Sequence, residues 1–261
     1  MVGQDEFDEE EAQRFEAVYT SPSAVKRRQL VRDRLDLQPG ENVISIGCGP
    51  GFEPAELAEA VGEDGSVYGI DVSEAMLAVA ERYCAELPQV RLERGDAVAI
   101  PATDASFDAA VAVQLYGYIQ DLDAAIAELN RILRPGGRAA VYATDWRTLV
   151  WHSSDSDRMD RVIDAWKDVY ANPHVGSQIA SRIHDAGLTI ETVEPNSVLN
   201  THLDETFAGF VMDLFRGHLE EDEGFDAEEI KAWNQDLLEI DEVGETFFNL
   251  TQYLYMVRKP E

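Results

Sequence analysis

Three glycines at alternating positions follow a short apolar segment. Val43–Ile46 has the β-branched character of a buried strand, and Gly47, Gly49 and Gly51 come directly after it. Such a loop turns sharply and lets a ligand approach the backbone without meeting a β-carbon. A dinucleotide-binding loop would need its third glycine at position 52, which is Phe52, and no lysine follows the glycines as a triphosphate-binding loop requires. The spacing therefore indicates a ligand-binding loop of another kind.

Two carboxylates follow the next two predicted strands. Asp71 comes after Val67–Ile70, about 20 residues beyond the glycines, where its carboxylate could accept hydrogen bonds from both hydroxyls of a ribose. Asp96 comes after Val90–Glu93, which puts a second carboxylate within reach of an adenine amino group. Ligands of open parallel sheets bind at the carboxyl ends of the strands. The two acids and the glycine loop therefore predict a nucleoside site at one edge of a sheet.

This order of features resembles that of the class I S-adenosylmethionine-dependent methyltransferases, in particular the small-molecule branch that methylates quinone precursors and sterols. The resemblance is strong over residues 37–145 and weak outside them. It implies that S-adenosylmethionine is the cofactor, with its methionine part in the glycine loop, its ribose on Asp71 and its adenine at Asp96. The residues that it assigns to the cofactor are Gly47, Cys48, Gly49, Gly51, Asp71, Val72, Met76 against the adenine ring, Asp96, Ala97, and Gln114 facing the methionine and the sulfonium.

One position departs from the family pattern. The family usually has Asp or Glu two residues before the first glycine, and this chain has Ser45 there. A hydroxyl can accept a hydrogen bond from the ammonium of the cofactor but carries no charge. Either the affinity for the cofactor is lower, or another acid such as Glu53 takes over this role.

Methyl transfer from a sulfonium is an in-line displacement that needs alignment and exclusion of water, but neither a metal nor a triad. A base is needed only for a protonated nucleophile. His152 is a candidate general base, with an ordinary surface histidine as the alternative. Tyr116 could line the acceptor pocket or pack in the core, and Asp145 could orient the acceptor or cap a turn. Tyr19 could close over the cofactor as a gate or pack against the sheet.

The elements that must position these residues alternate between strand and helix. The chain therefore predicts an α/β fold: a Rossmann-like, mostly parallel sheet with helices on both faces and an antiparallel final strand. Two helices at Phe7–Val18 and Ala24–Leu35 precede it, and further helices precede the final strand. We expect one domain over residues 1–261, with N-terminal helices in 1–36, the cofactor-binding core in 37–145, and substrate-side helices and closing strands in 146–261.

Charge and composition exclude several classes of partner. Asp and Glu number 51 and Lys and Arg 21, so the formal net charge is −30, which disfavours binding to nucleic acid or to anionic lipid. No apolar run is long enough to span a membrane, and the first twenty residues are acidic where a secretory signal would be apolar, so we expect a cytoplasmic protein. Two cysteines and scattered histidines predict neither a disulfide framework nor a metal site.

The leading interpretation is an enzyme that methylates an oxygen, nitrogen or carbon of a small organic molecule. The alternatives are a catalytically silent protein that keeps the cofactor fold for ligand sensing, and a nicotinamide-dependent oxidoreductase, which the glycine spacing disfavours. The acceptor and the oligomeric state stay open at this point.

The acids are spread over the whole chain, as in proteins from salt-accumulating halophiles. Because concentrated salt screens the repulsion between closely spaced carboxylates, we expect the melting temperature to rise between low and molar KCl. Thermal unfolding followed by circular dichroism measures this shift. Molar betaine, which is zwitterionic and does not screen charge, is the control. Equal melting temperatures at low and molar KCl would contradict the halophilic interpretation.

Overall fold

The computed structural model describes residues 19–204 and 206–261, and the helix predicted at Phe7–Val18 lies outside them. In the described part, eight strands form one sheet. They are β1 Asn42–Ile46, β2 Ser66–Asp71, β3 Val90–Arg94, β4 Phe107–Val113, β5 Leu133–Thr144, β6 Val150–Trp151, β7 Thr189–Asn200 and β8 Phe248–Arg258.

The first five strands are parallel, in the order β3-β2-β1-β4-β5. Strand β8 is antiparallel to β5 and also pairs antiparallel with β6 and with β7. The predicted Rossmann-like sheet with an antiparallel final strand is thereby confirmed. Since β2 and β4 both pair with β1, the loop after β1 lies at the centre of the carboxyl edge.

Strand β7 is longer than its sequence indicates. The apolar pattern predicts a strand over Leu188–Val193, whereas the structure continues it to Asn200. The polar stretch from Glu194 onward, which includes Pro195, pairs with β8 down to Phe248. Pairing with the largely buried strand β8 outweighs the weak local β-propensity of this stretch.

Eight α-helices are described. They are α1 Pro22–Leu35, α2 Phe52–Val61, α3 Glu74–Tyr83, α4 Leu122–Ile132, α5 Ser156–Lys167, α6 Val175–Asp185, α7 Phe207–Glu221 and α8 Ala227–Glu242. The predicted N-cap of α3 is confirmed, because the hydroxyl of Ser73 accepts a hydrogen bond from the Met76 amide at 3.3 Å. Within the described residues, no helix combines the length and the hydropathy that a bilayer span needs.

Both faces of the sheet are covered by apolar side chains from helices. Helices α1 and α2 supply residues such as Val31 and Leu57 to one core, which also contains Val43 of β1. Helices α4 and α6 supply Ile126 and Ile179 to the core of the other face. A third, aromatic cluster joins α5, α7 and α8 to β6 and β8; its largest members are Trp146, Trp151, Trp166, Phe215, Trp233 and Phe248.

Gly51 lets the glycine loop pack directly on α3. Its φ is +90°, and a β-carbon there would lie 2.6 Å from the Cα of Ala80. We expect Gly51→Ala to lower the free energy of unfolding by roughly 3 kcal/mol or more, through backbone strain and overlap with a backbone atom. Gly40→Ala, at a φ of +88° with nothing within 4 Å, is the matched control and should cost about 1 to 2 kcal/mol from backbone strain alone. Urea unfolding at fixed KCl compares the two; equal losses would contradict the contact with α3.

Candidate functional site

A cavity of about 230 Å³ lies at the carboxyl ends of the parallel strands. Six strands contribute residues to its wall. Five of them do so at or just beyond their carboxyl ends, and β8 does so from its interior. In spatial order the contributions are Asp96 after β3, Asp71 of β2, Gly47 and Gly49 after β1, Gln114 after β4, Thr144 of β5 and Gln252 of β8. Residues that are far apart in sequence therefore meet along one edge of the sheet.

The carboxylate of Asp71 is fixed by backbone donors. Its Oδ2 accepts a hydrogen bond from the Gly49 amide at 2.8 Å, and its Oδ1 accepts one from the Ser73 amide at 3.0 Å. Burial raises the pKa of Asp71, and these backbone hydrogen bonds oppose the shift. Each carboxylate oxygen can accept a second hydrogen bond, so the side chain can also bind a pair of ligand hydroxyls.

The part of the wall beyond Asp71 is suited to a flat ring. Met76 is 4% exposed and lines the cavity together with Val72 and Ala97. Asp96 lines it as well, and its Oδ1 accepts a hydrogen bond from the Val98 amide at 3.1 Å. This half of the cavity thus combines an apolar surface with a fixed carboxylate at its rim.

Of the residues predicted to contact a cofactor, nine line the cavity and three do not. The nine are Tyr19, Gly47, Gly49, Asp71, Val72, Met76, Asp96, Ala97 and Gln114. Cys48 is buried beside Gly69, and burial raises the pKa of its thiol. Gly51 packs on Ala80. These two residues support the loop from behind.

Glu53, the acid predicted as a substitute at Ser45, lies off the described lining of the cavity. It is buried in the first turn of α2, and neither residue is among the described residues that line the cavity. The charged groups that act on Glu53 are Arg27, Arg28 and Arg32 of α1. Burial raises the pKa of Glu53 to about 7 in spite of these arginines. The surroundings of this carboxyl group are therefore set by α1. Local sequence does not reveal that α1 packs beside α2.

Tyr19 lines the cavity and also packs against Phe52. Its hydroxyl lies 3.3 Å from the position that a β-carbon on Gly49 would occupy, and its ring is near-parallel to that of Phe52 at 6.0 Å between centroids. Its backbone oxygen accepts a hydrogen bond from Arg28 at 2.6 Å. This position is compatible with the predicted role at the cofactor, and packing on Phe52 accompanies it.

The part of the cavity beyond Thr144 is aromatic and uncharged. Its described lining contains no carboxylate, lysine, arginine or histidine; the residues are Tyr118, Ile119, Trp146, Trp166, Tyr170, Phe207, Phe210, Val211 and Leu214. The hydroxyl of Tyr118 donates to that of Tyr170 at 3.2 Å. Burial raises the pKa of both tyrosines, so both stay protonated at neutral pH.

The three predicted catalytic side chains lie outside this lining. Tyr116 is 1% exposed and packs in the core between the sheet and α4, two residues before the cavity-lining Tyr118. Asp145 caps the short 3-10 helix Trp146–Thr148, accepting a hydrogen bond from the Arg147 amide at 3.0 Å. His152 is exposed, and its backbone amide bonds to the carbonyl of Phe247. The structure thus gives Tyr116 a packing role and Asp145 a capping role, and it keeps His152 away from the cavity.

Sequence reasoning missed most of the aromatic wall and one arginine. A signal existed in α7, where Phe207, Phe210, Val211 and Leu214 follow the spacing of one helix face. Trp166 and Tyr170 are likewise four residues apart. Arg27 also lines the cavity, but no local pattern distinguishes it from the other arginines of α1.

Comparison with known proteins shows what the central part of the chain is similar to. Residues 43–137 match the family model described as a methyltransferase domain. An uncharacterized 37.1 kDa protein in a transposon of Streptomyces fradiae is 34% identical over 187 residues, which are 71% of this chain and 54% of that protein. A demethylmenaquinone methyltransferase of Bacillus mycoides is 36% identical over 118 residues, 44% of this chain and 50% of that protein. The matched part thus spans about half the length of these relatives.

Among solved structures, a phosphoethanolamine N-methyltransferase of Haemonchus contortus in complex with phosphomonomethylethanolamine and S-adenosylhomocysteine has a similar fold. The TM-score is 0.63 and the sequence identity 19%, with 97% of this chain and 58% of that chain covered. At this identity the likeness concerns the fold.

The raised pKa of Glu53 makes stability depend on pH. Between the pKa of an unfolded glutamate, about 4.5, and about 7, the folded protein holds a proton that the unfolded chain releases, so stability falls as the pH rises through this window. Glu53→Gln removes this contribution. We expect the melting temperature of this variant to rise relative to that of the parent between pH 5.5 and pH 7.5. The rise corresponds to about 2 kcal/mol in the free energy of unfolding.

The matched control is Glu59→Gln, an exposed position of the same helix. Its difference from the parent should stay constant with pH. A constant difference for Glu53→Gln as well would show that the folded protein does not hold the proton.

Proposed function

We propose that this chain, whose residues 43–137 are a class I S-adenosylmethionine-dependent methyltransferase domain, transfers the methyl group of that cofactor to an uncharged, largely apolar small molecule. The observation that carries the proposal is the order of groups along the cavity. Nucleoside-binding groups lie at β3 and β2, the glycine loop and Gln114 lie at β1 and β4, and the aromatic wall begins beyond β5.

The dimensions of the sheet fit this order. Neighbouring strands are about 4.8 Å apart, so the interval from β3 to β4 is about 14 Å, the scale of a nucleoside joined to an extended amino acid. Asp71, with its two backbone donors in place, would bind the ribose hydroxyls. Asp96 would bind the adenine amino group, and Met76 would pack on the ring.

The cofactor supplies a methyl group on a positively charged sulfur, and the protein has to align the acceptor and exclude water. The aromatic wall suits both tasks, because large rigid rings fill space without carrying water into the cavity. Burying an uncompensated charge there would cost several kcal/mol, which favours a neutral acceptor. The protonated pair Tyr118–Tyr170 would orient one oxygen of that acceptor.

The same lining argues against base catalysis by the described part of the wall. Among the described residues of the wall, no histidine or carboxylate is present to take a proton from the nucleophile. The acceptor would therefore react through an atom that is nucleophilic without help, such as a ring carbon activated by a hydroxyl group. The relative from Bacillus mycoides is named for a quinone, which belongs to this class of apolar ring compounds.

The test uses an acceptor pair that differs in charge alone. With methyl-labelled S-adenosylmethionine, we expect the protein to methylate the neutral 6-sulfonamide of 1,4-dihydroxynaphthalene, and the 6-sulfonate of near-equal size at least 10-fold less efficiently in kcat/KM, because the sulfonate must enter the uncharged wall. Mass spectrometry of the products measures both rates. Equal rates would contradict an uncharged acceptor site.

Asp71→Ala links turnover to this cavity. Calorimetry with S-adenosylhomocysteine should show roughly 10- to 100-fold weaker binding, since a carboxylate with two ligand hydrogen bonds is lost. Cofactor binding by the parent without methyl transfer to any quinol, phenol or amine would favour the ligand-sensing alternative.

A further inference from the structure

Arg27 is an isolated cation in the wall of the cavity. Among the described lining residues it is the one positive side chain, whereas Asp71 and Asp96 are negative. It projects from α1 with its guanidinium 5.9 Å from the centroid of the Tyr142 ring of β5. The positive charge therefore lies on the side of the cavity away from β2 and β3, where the nucleoside groups are.

The hydrogen-bonding capacity of Arg27 is not used up by its neighbours. Its buried Nε has no hydrogen-bond partner among the described residues. Glu53 acts on α1 electrostatically, yet its Oε1 is also without a described partner, so the two side chains are not hydrogen-bonded to each other through these atoms. The adjacent Arg28 differs: it donates to the carbonyl of Tyr19 at 2.6 Å and to Glu56 at 3.0 Å.

A second uncommitted donor lies at the same strand. The backbone amide of Gln114 donates to the carbonyl of Tyr142 at 2.7 Å, which ties the two residues together. The Oε1 of Gln114 accepts a hydrogen bond from the Thr144 hydroxyl at 2.8 Å, and that hydroxyl accepts one from Gln252 at 3.2 Å. This chain of hydrogen bonds leaves the Nε2 of Gln114 buried and, within the described structure, without a partner.

Two buried hydrogen-bond donors, one of them charged, thus lie beside one strand. An anion with more than one oxygen would accept hydrogen bonds from both. A carboxylate fits, since guanidinium and amide N–H groups both bind its oxygens. The end of the cofactor opposite its adenosine carries such a carboxylate, next to an ammonium. Ser45, which lies off the described lining of the cavity, supplies no charge for that ammonium.

We propose that Arg27 and the side-chain amide of Gln114 bind the carboxylate of the methionine part of S-adenosylmethionine. The inference rests on the proposed function, because it takes the cofactor as given. In this proposal the guanidinium of Arg27 binds the carboxylate at the amino-acid end of the cofactor. Helix α1 is then part of the cofactor site.

The experiment compares two ligands that differ only in the carboxylate. S-adenosylhomocysteine and its decarboxylated form are titrated by calorimetry into the full chain without any acceptor, at one fixed KCl concentration. The parent should bind S-adenosylhomocysteine roughly 10- to 100-fold more tightly than the decarboxylated form, as expected for charge-assisted hydrogen bonds. Arg27→Gln should reduce this ratio to less than about 3-fold, with the affinity for the decarboxylated ligand unchanged.

Arg34→Gln is the matched control. Arg34 lies on the same helix, is exposed and pairs with Glu194 at 2.6 Å, so its variant loses the same charge away from the cavity. It should keep the ligand ratio of the parent. Gln114→Glu is the second variant, and it also serves if Arg27→Gln does not fold. It places a side-chain carboxylate beside the carboxylate of the ligand. The repulsion should weaken binding of S-adenosylhomocysteine but not of the decarboxylated form.

Each other result has a distinct meaning. An equal loss for both ligands in Arg27→Gln would assign Arg27 a structural role and overturn the inference. Unchanged ratios in both cavity variants would place the carboxylate elsewhere and overturn it as well. Binding of S-adenosylhomocysteine by the parent without preference over the decarboxylated form would sink the inference alone, whereas binding of neither ligand would sink the methyltransferase proposal with it.

Discussion

The carboxylate of Asp71 ties together the loops that follow β1 and β2. It accepts hydrogen bonds from the Gly49 amide after β1 and from the Ser73 amide after β2, so the glycine loop and the start of α3 are held at fixed distances from one acidic group. Because those amides satisfy part of its hydrogen-bonding capacity, the carboxylate can stay buried and still present acceptors to a ligand. The cavity depends on this arrangement: its half at β2 and β3 is built around Asp71, and its other half extends from the same edge of the sheet.

The two halves of the cavity differ in the charge and polarity of their walls. Around β2 and β3 the wall contains fixed carboxylates, which suit a ligand rich in hydrogen-bond donors. Around α5 and α7 it contains aromatic rings and protonated phenols, which suit an uncharged one. Gln114 lies at the boundary, and the hydrogen bonds through Thr144 to Gln252 tie this boundary to β8. A reaction between a charged donor and a neutral acceptor requires such a change of environment within a short distance.

Local patterns were sufficient for the fold class and for most of the cavity wall at β2 and β3. The glycine spacing and the acids at strand ends predict Gly49, Asp71 and Asp96 correctly as cavity residues, because parallel pairing brings strand ends together whatever the rest of the chain does. Glu53 shows the limit: its surroundings are set by α1, and local sequence does not state which helix packs against which. Tyr116 and Tyr118 show another limit, since two positions in a turn decide between the core and the cavity. Arg27 and the aromatic wall depend on the same long-range packing.

Strand β8 has a further consequence for how the molecule assembles. Gln252 lines the cavity and bonds to Thr144, although 108 residues separate them in the chain. On the ribosome, strands β1 to β5 are therefore complete before β8, the antiparallel partner of β5, has been synthesised. The wall of the cavity closes only when β8 docks, a long-range pairing that pays its loop-closure entropy late in folding. Until β8 docks, β5 lacks its antiparallel neighbour, and an unpaired strand edge of this kind can pair with other strands.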